Sequence, residues 1–456
     1  MELDTEACYR ALKTRDRRFD GRFFTGVTST GVYCRPICPA PTPKPVNCRF
    51  FRCAAAAQEA GFRPCLRCRP EIAPAAPAAH GTSATVSRAL RLIAEGALDD
   101  ASVDGFAATL GVGARHLRRL FDEHLGASPL AVAATRRCLF AKQLLAETSL
   151  SITDVAFASG FSSVRRFNAA MLDACGRPPR DLRRATAATR AAGAIVITLP
   201  YRAPYNWNGV VEFLAPRAIP GVEQITPESY RRVLPGGFVE VRPVPGYDHL
   251  QARFELTSIR DLARMAARLA NLFDTEAPIA EIERHLSQSP RLAPAIRAKS
   301  GLRVPGAWDP FELTVRAILG QQVTVKGATT LAGRLVERFG EATPHGYLFP
   351  APAVLAAADP SGVGLPSARG AALRAVAEAF ASPNPPRTAA ELLPLRGIGD
   401  WTAQYVAMRA FRDPDAFPGT DLGLIHAAGR DVAQQSIAWR PWRAYAAMHL
   451  WLEQTA

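Results

Sequence analysis

Two closely spaced cysteine pairs are the residues best suited to chemistry near the start of the chain. Three residues separate Cys34 from Cys38, and two separate Cys65 from Cys68. Four thiolates at such spacing can surround one Zn²⁺ as a tetrahedron. Because closed four-thiolate sites are usually architectural, the spacing alone favours a structural zinc knuckle. The other two nearby cysteines, at 48 and 53, are expected to be ordinary, partly buried thiols.

A glycine-rich turn and a later carboxylate form a second chemical candidate. Gly397-Ile-Gly399 lies between helical patterns, so backbone N–H groups at a helix N-terminus could hold a DNA phosphate. Asp421 follows in the segment Phe417-Pro-Gly-Thr-Asp421. Its carboxylate could stabilise a developing positive charge, or Thr420 or Asp421 could simply cap a helix.

Two stretches between these candidates have the pattern of a helix, a glycine turn and a second helix. They cover about 103–121 and 152–167. Paired units of this kind place two recognition helices in successive major grooves. A helical bundle with a solvated basic face is the alternative interpretation. The expected DNA contacts on the two second helices are Arg115, His116, Arg118, Arg119, Ser162, Ser163, Arg165 and Arg166.

The whole chain must supply the elements that position these groups. Its 456 residues give room for about three domains. The formal net charge of +14 favours a polyanionic partner such as nucleic acid. The acidic start and the lack of long apolar runs predict no secretion signal and no membrane span. We therefore expect a cytoplasmic protein whose clustered cysteines bind metal.

Breaks in composition divide the chain into segments. Linkers are expected at 70–81, which is rich in Pro and Ala, and at 186–194, which is rich in Ala. Periodicity predicts helices over 84–184 and from about 258 onward, and strands at 195–199, 238–242 and 249–256. The predicted fold is multidomain and mainly α with α+β parts. The expected domains are 1–75, 84–184, 195–268 and 269–456.

The cysteine segments Thr30-Gly-Val-Tyr-Cys34-Arg-Pro-Ile-Cys38 and Gly61-Phe-Arg-Pro-Cys65-Leu-Arg-Cys68 resemble the zinc domain of the Ada family of methylphosphotriester-DNA methyltransferases. The resemblance covers about residues 5–72. It implies that Cys34 accepts a methyl group from a methylated DNA phosphate, with the other three cysteines as remaining ligands of one structural and thiolate-activating Zn²⁺. Methylation removes negative charge, so it should tighten DNA binding and could switch on a regulator.

The helical region over about 84–184 resembles the AraC-type regulator domain, which also follows the zinc domain in Ada. The segments that carry this resemblance are Leu120-Phe with Gly126-x-Ser-Pro129, and Ala156-x3-Gly160-Phe. The Pro-Cys-His-Arg motif of the O6-alkylguanine repair module occurs nowhere in the chain. The nearest string, Pro64-Cys-Leu-Arg67, belongs to the cysteine site.

Residues of about 196–454 closely resemble the AlkA family of 3-methyladenine DNA glycosylases II. Besides the glycine turn, the matching segments are Pro204-Tyr-Asn-Trp207, Ala317-Ile-Leu-Gly-Gln-Gln-Val323 and Arg440-Pro-Trp-Arg-x-Tyr445-x3-His449-Leu-Trp451. The resemblance implies that Asp421 stabilises an oxocarbenium-like sugar and that a flipped base enters an aromatic pocket. The implied pocket residues are Trp401, Tyr405, Trp451 and Phe213, and the implied DNA contacts are Gly397, Ile398, Gly399 and Gln322.

Two positions depart from the glycosylase pattern. Trp401 occupies the position of the lysine found in bifunctional relatives, so we expect hydrolysis without lyase activity and without a cofactor. Gln322 replaces an apolar wedge, which affects how the gap left by a flipped base is filled.

The combined expectation is an alkylation-repair protein that releases bases such as 3-methyladenine and regulates transcription. Its expected partners are alkylated and promoter double-stranded DNA, with RNA polymerase as a further candidate. A monomer associated with the bacterial nucleoid is expected. Two alternatives remain: a transcription regulator whose glycosylase fold is a weakly active DNA platform, and a glycosylase whose zinc domain is only structural.

Overall fold

The computed structural model describes residues 3–74, 84–99, 101–183, 194–359 and 363–453. The described chain forms two compact units. The first unit comprises Met1–Pro200 with Ser258–Ala267, and the second comprises Tyr201–Thr257 with Arg268–Ala456.

A small sheet carries the cysteine pairs at the start of the first unit. Its elements are helix α1 (Thr5–Thr14), strands β1 (Phe24–Val27), β2 (Val32–Cys34) and β3 (Cys48–Phe51), helix α2 (Ala54–Glu59) and strand β4 (Arg63–Pro64). In the order β3-β1-β2-β4, β1 pairs antiparallel with β2 and β3, and β2 pairs parallel with β4. Phe24, Tyr33 and Phe62 pack with alanines of α2 as its core. The parallel pairing brings the two distant cysteine pairs to one end of the sheet.

A long central helix separates the two helix-turn-helix pairs. The helices of this region are α3 (Ala84–Ala94), α4 (Val103–Thr109), α5 (Ala114–Leu125), α6 (Pro129–Glu147), α7 (Ile152–Ala158), α8 (Val164–Cys175) and α9 (Pro179–Leu182). Serine side chains accept first-turn N–H groups of α4, α6, α7 and α8. Gly126 and Gly176 end α5 and α8 in the left-handed conformation. Caps at both ends therefore explain how short helices and tight turns alternate here.

Buried ion pairs join the cysteine-rich sheet to α6. Glu71 accepts hydrogen bonds from Lys142 Nζ at 2.5 Å and from Arg69 Nε at 3.0 Å. Arg69 also pairs with Glu147 at 2.6 Å. The side chains of Glu71 and Lys142 are only 1% and 5% exposed, so each charge depends on its partner.

The two expected linkers are only partly described. Residues 70–74 are not a linker: a 3-10 turn spans Pro70–Ile72, and the ion pairs of Glu71 fix this segment against α6. The composition of the segment did not predict this, because the segment is held by the buried carboxylate of Glu71 and has no periodic pattern of apolar residues. Residues 75–81 and 186–193 lie outside the described residues.

Strand β5 (Ile195–Pro200) is the strand predicted over 195–199, and it belongs to the first unit. Gln143 Nε2 donates to the carbonyl oxygen of Thr198 at 2.8 Å, and the Thr198 N–H donates to Glu147 at 3.0 Å. Side chains of α6 therefore satisfy both backbone groups of Thr198.

An antiparallel meander forms the sheet of the second unit. Its consecutive strands are β6 (Glu223–Ile225), β7 (Tyr230–Leu234), β8 (Gly237–Pro243) and β9 (His249–Leu256). Burial alternates along β8 and β9, where Val239 and Phe254 are buried. This period of two confirms the strands predicted at 238–242 and 249–256.

Helices make up most of the rest of the chain. They are α10 (Trp207–Leu214), α11 (Leu262–Leu272), α12 (Ile279–Leu286), α13 (Ala293–Ala298), α14 (Pro310–Leu319), α15 (Val325–Phe339), α16 (Pro352–Ala357), α17 (Ser367–Ala381), α18 (Ala389–Leu392), α19 (Asp400–Arg409), α20 (Leu422–Ala428), α21 (Val432–Gln435) and α22 (Arg443–Glu453). An apolar core joins helices α14, α15, α17 and α19. Each helix contributes one of the buried residues Val315, Leu335, Val376 and Val406 to it. None of the helices in the described ranges combines the length and apolarity needed to cross a membrane.

A two-stranded hairpin interrupts the helical pattern that was expected from about 258 onward. Strands β10 (Glu341–Thr343) and β11 (Gly346–Leu348) pair antiparallel. The turn requires Gly346, whose φ of 133° is rarely adopted by other residues. Strands of three residues are too short to show a period in the sequence.

Candidate functional sites

Asp421 and the aromatic residues of α19 meet in one cleft of the second unit. Trp401 and Tyr405 are one helical turn apart, and their rings stack with centroids 5.3 Å apart and planes 9° apart. Asp421 is the N-cap of α20 and accepts the Leu424 N–H at 3.1 Å. The predicted pocket residues therefore share a cleft with the predicted carboxylate.

Two indole N–H groups hold the Asp421 carboxylate. Trp401 Nε1 donates to Oδ2 and Trp451 Nε1 donates to Oδ1, each at 2.8 Å. The helix cap and the charged group are one and the same, because Oδ1 accepts from Leu424 and Trp451 together. Gly423 permits this approach: a Cβ there would lie 3.0 Å from Asp421 Oδ1 and 3.2 Å from Trp451 Cδ1. The carboxylate is thus oriented from three sides.

The fourth predicted pocket residue lies behind the others. Phe213, on α10, is 1% exposed and packs parallel to Trp451 with centroids 6.0 Å apart. Tyr405 meets Trp451 edge-on at 6.2 Å. Trp401, Tyr405 and Trp451 are half-buried, so these three rings offer the accessible surface. Such electron-rich rings can stack on a flipped base.

The glycine turn before α19 has two different glycines. Gly397 has φ 80°, and a Cβ there would lie 2.4 Å from Ala372 Cβ, so only glycine fits. Gly399 precedes α19 with no side-chain cap and no atom near its Cβ position. Ile398 is 7% exposed, and its N–H donates to Leu395, so its side chain belongs to the core. The open N-terminus of α19 at Gly399 can bind a phosphate.

The loop between α14 and α15 is locked to this turn. Gln321 Nε2 donates to the Gly397 carbonyl oxygen at 2.9 Å and to Thr402 Oγ1 at 3.1 Å. The next residue, Gln322, is exposed and has φ 57°, which is uncommon for a residue other than glycine. The hydrogen bonds of Gln321 therefore fix the loop beside Gln322, whose side chain is exposed and whose backbone is strained.

The four predicted zinc ligands come together in the first unit. Cys34 ends β2 and Cys65 follows β4, whose parallel register pairs Tyr33 with Pro64 immediately before them. The sulfurs of Cys34, Cys38, Cys65 and Cys68 all lie within 4.8 Å of one another. A tetrahedral site with Zn–S bonds of about 2.3 Å places sulfurs ~3.8 Å apart. The cluster therefore fits one zinc ion, and the four thiols are its donors.

Backbone N–H groups reach two of the four sulfurs. The Arg35 N–H donates to Cys68 Sγ at 3.3 Å, and the Arg67 N–H donates to Cys65 Sγ at 3.4 Å. The described residues bring no such donor to Cys34. Since hydrogen bonds withdraw electron density from sulfur, the sulfurs of Cys65 and Cys68 are less nucleophilic than a sulfur without such a donor.

Four family models match successive parts of the chain. The metal binding domain of Ada matches residues 7–71, and a helix-turn-helix domain matches 106–185. The AlkA N-terminal domain matches 196–309, and the HhH-GPD superfamily of base excision DNA repair proteins matches 315–437. This order is the one that the sequence resemblances predicted.

A Mycobacterium tuberculosis protein matches nearly the whole chain. It is named "Probable bifunctional transcriptional activator/DNA repair enzyme AlkA", and it is 42% identical over 99% of this chain and 97% of its own length. The chain belongs to the AlkA family of bifunctional activator/DNA repair enzymes. DNA-3-methyladenine glycosylase 2 of Escherichia coli is 34% identical over 56% of this chain and 96% of its own length. The Escherichia coli enzyme Ada is 31% identical over 35% of this chain and 43% of its own length.

The helix-turn-helix residues of this AlkA-family chain face outward as predicted. Arg115, His116, Arg118 and Arg119 of α5 are exposed, whereas Leu117 and the other apolar residues of the helix are buried. On α8, Arg165 and Arg166 are exposed. Ser162 accepts from the Arg166 guanidinium at 3.3 Å, and Ser163 caps the helix. Both second helices thus present cations to solvent, as contacts to DNA phosphate require.

Sequence reasoning missed several residues that position the sites. Arg35 Nε donates to the Asp20 carboxylate at 2.8 Å, and its Nη1 donates to the Cys68 carbonyl oxygen at 3.1 Å. Gly423 and Arg409 act similarly in the glycosylase cleft. The signals were weak: Arg35 directly follows a ligand, and Arg409 is four residues beyond Tyr405 on the same helix face.

Proposed function

We propose that this protein repairs alkylated DNA by hydrolytic release of bases such as 3-methyladenine and couples repair to transcription. The observation that carries the glycosylase function is the Asp421 carboxylate held by Trp401 and Trp451 at the edge of an aromatic cleft. Electron-rich rings suit a cationic base, and the nearby carboxylate suits a sugar that becomes positively charged in the transition state.

The proposed reaction breaks the bond between sugar C1′ and the base nitrogen. The bonding electrons leave with the base, and Asp421 stabilises the positive charge on the sugar. A water oxygen then bonds to C1′ and loses one proton to solvent, while Trp401 and Trp451 keep the carboxylate in place. Because position 401 has no amine, the reaction ends at an abasic site without strand cleavage.

Release of 3-methyladenine from methylated duplex DNA tests this function. We expect release by the full-length protein and a loss of ~10²-fold or more in Asp421→Asn. A folded, DNA-binding wild type that releases no base would contradict the glycosylase function and favour a regulator that uses the fold only as a platform.

The cysteine site is proposed to accept methyl groups from DNA phosphotriesters. One zinc ion would keep the four sulfurs deprotonated at neutral pH. The Cys34 sulfur bonds to the methyl carbon, the carbon–oxygen bond to phosphate breaks, and an ordinary phosphodiester anion leaves. Backbone N–H donors to Cys65 and Cys68 disfavour these two sulfurs, and the resemblance to the Ada zinc domain supports the choice of Cys34 as the nucleophile.

The regulatory part of the proposal concerns partners and location. Residues 84–184 would bind promoter DNA through α5 and α8, and RNA polymerase would be contacted at the promoter. We propose a monomer of four domains, at 1–75, 84–184, 195–268 and 269–456, that binds one zinc ion and needs no cofactor for base release. The protein would act at the nucleoid in the cytoplasm, where its DNA substrate lies.

A further inference from the structure

A buried arginine stands at the end of the aromatic row opposite Asp421. Trp401, Tyr405 and Arg409 follow one another at intervals of four residues and share one face of α19. Trp401 Nε1 is bonded to Asp421 at 2.8 Å, and Arg409 Nη1 donates to the Tyr405 hydroxyl oxygen at 2.6 Å. The row therefore has a negative group at one end and a positive group at the other.

The charge of Arg409 is not neutralised by an acid. Its Nε donates to the Pro305 carbonyl oxygen at 2.8 Å and its Nη2 to the Gly306 carbonyl oxygen at 2.9 Å. No carboxylate of the described residues pairs with it, and the residue is 3% exposed. Arg232 is also buried but pairs with Glu223 and Glu312. Because water is excluded, the field of an unpaired guanidinium extends into its surroundings.

This field reaches the aromatic pocket. The Arg409 guanidinium carbon lies 4.9 Å from the ring centroid of Phe213 and 5.4 Å from that of Tyr405. Arg217 also lies over Phe213, at 4.0 Å. Burial by itself raises the pKa of the Tyr405 phenol, but the charges of Arg409 and Arg217 outweigh it, so the pKa is lowered. Cations of the protein thus already lie over Phe213 and at the hydroxyl end of Tyr405.

We propose that Arg409 is a positioning and specificity-determining residue that extends excision from cationic to neutral damaged bases. The inference rests on the proposed glycosylase function. When the C1′–N bond breaks, its electron pair moves onto the base, so the base gains negative charge while the sugar gains positive charge. Arg409 on the base side and Asp421 on the sugar side both stabilise this separation.

The two classes of base respond differently to Arg409. A neutral base becomes partly anionic in the transition state, so Arg409 raises its kcat/KM. A cationic base is repelled on binding and still carries about half of its positive charge in the transition state, so Arg409 lowers its kcat/KM. One charge acting on a half-developed charge in a partly buried site, with an effective dielectric constant of about 20, changes a rate by about tenfold.

Single-turnover excision by the full-length protein tests the proposal with two defined duplexes. One contains ethenoadenine, a neutral alkylated base, and the other contains 7-methylguanine, a cationic one. For Arg409→Gln we expect kcat/KM on ethenoadenine to fall about tenfold. On 7-methylguanine we expect the half-saturating enzyme concentration to fall and kcat/KM to rise by up to about tenfold. Arg409→Lys, which keeps the charge, should largely restore the preference.

Arg303→Gln is the matched control. Arg303 is fully buried, bonds to the carbonyl oxygens of Asp274, Ala277 and Pro204, and contacts no pocket residue. It should change both substrates by the same factor through stability alone. An equal loss on both substrates in Arg409→Gln, or a wild type that excises only 7-methylguanine, would overturn the inference. A wild type that excises neither base would overturn the proposed function itself, and the inference with it.

Discussion

The indole of Trp451 and the carboxylate of Asp421, 30 residues apart in the chain, are joined by a 2.8 Å hydrogen bond. Trp401 forms the matching bond to the other carboxylate oxygen. Replacing Trp401 with Phe keeps an aromatic ring and removes only this donor. We expect the excision rate to fall about tenfold without loss of fold, since one hydrogen bond to a charged group is worth about 1.5–3 kcal/mol.

The control for this variant is Trp439→Phe, because the Trp439 Nε1 donates to Ser289 and not to Asp421. Single-turnover excision and thermal unfolding should be measured on both variants. Equal excision rates in Trp401→Phe and wild type would show that the carboxylate needs no orientation by the indole.

The two glycines of the turn before α19 should behave differently. Gly397→Ala should destabilise the protein by about 1–3 kcal/mol, because φ is positive and Ala372 occupies the space. Gly399→Ala should stay within about 0.5 kcal/mol of wild type, because its φ is ordinary and its surroundings are open. Thermal unfolding measures both.

Gly399→Asp extends this comparison to DNA binding. A carboxylate beside the N-terminus of α19 would stabilise the helix and repel a phosphate. We therefore expect unchanged or higher stability together with weaker affinity for undamaged duplex DNA at low salt. Unchanged affinity would mean that this helix N-terminus does not face the DNA backbone.

Stability of the second unit should depend on pH through His449. Burial, with the nearby positive charge of Lys299 as a smaller cause, lowers its pKa to about 4 from the ordinary value of 6.5. The unfolded chain therefore binds a proton between these values that the folded chain does not. The resulting stability is fully present above about pH 6.5 and is lost as the pH falls toward 4, by ~3 kcal/mol in all.

Urea unfolding between pH 7 and pH 4.5 checks this dependence. The variant His449→Gln cannot titrate, so its stability should fall less steeply over the same range. Parallel pH profiles for the variant and the wild type would show that other groups cause the acid sensitivity.

The ion pairs between the cysteine-rich sheet and α6 give a prediction about coupling. Glu71→Gln leaves the nearly buried Lys142 without its partner, which should cost about 3–5 kcal/mol. Glu71→Leu with Lys142→Met removes both charges and should be milder than the single change. Limited proteolysis of the full-length protein, with zinc added, measures the loosening. If Glu71→Gln resists proteolysis as well as the wild type does, these charges do not hold the cysteine-rich sheet against α6.

Methyl transfer to the cysteine site can be read without any assay of base release. Intact-mass measurement after exposure to methylated DNA should show the gain of one methyl group in the wild type and none in Cys34→Ser. Cys48→Ser is the control, since Cys48 lies outside the sulfur cluster. Zinc content should be compared between variants, because loss of one ligand also weakens metal binding. A methyl group found on another cysteine would reassign the nucleophile.

Much of the chemistry was predictable from the sequence because it depends on local spacing. The two cysteine pairs, the glycine turn and the four-residue interval between Trp401 and Tyr405 each place their groups within one short element. The family models and the relative that spans the chain confirm the order of modules predicted from these segments. The roles of Asp421 and Cys34 stay predictions.

Only the tertiary structure decided which distant residues act together. The parallel pairing of β2 with β4 unites the cysteine pairs, and the packing of α22 against the start of α20 delivers Trp451 to Asp421. Likewise, the unpaired charge of Arg409 follows from which carbonyl groups surround it. Such contacts depend on the packing of whole elements, and no local period or motif in the chain records them.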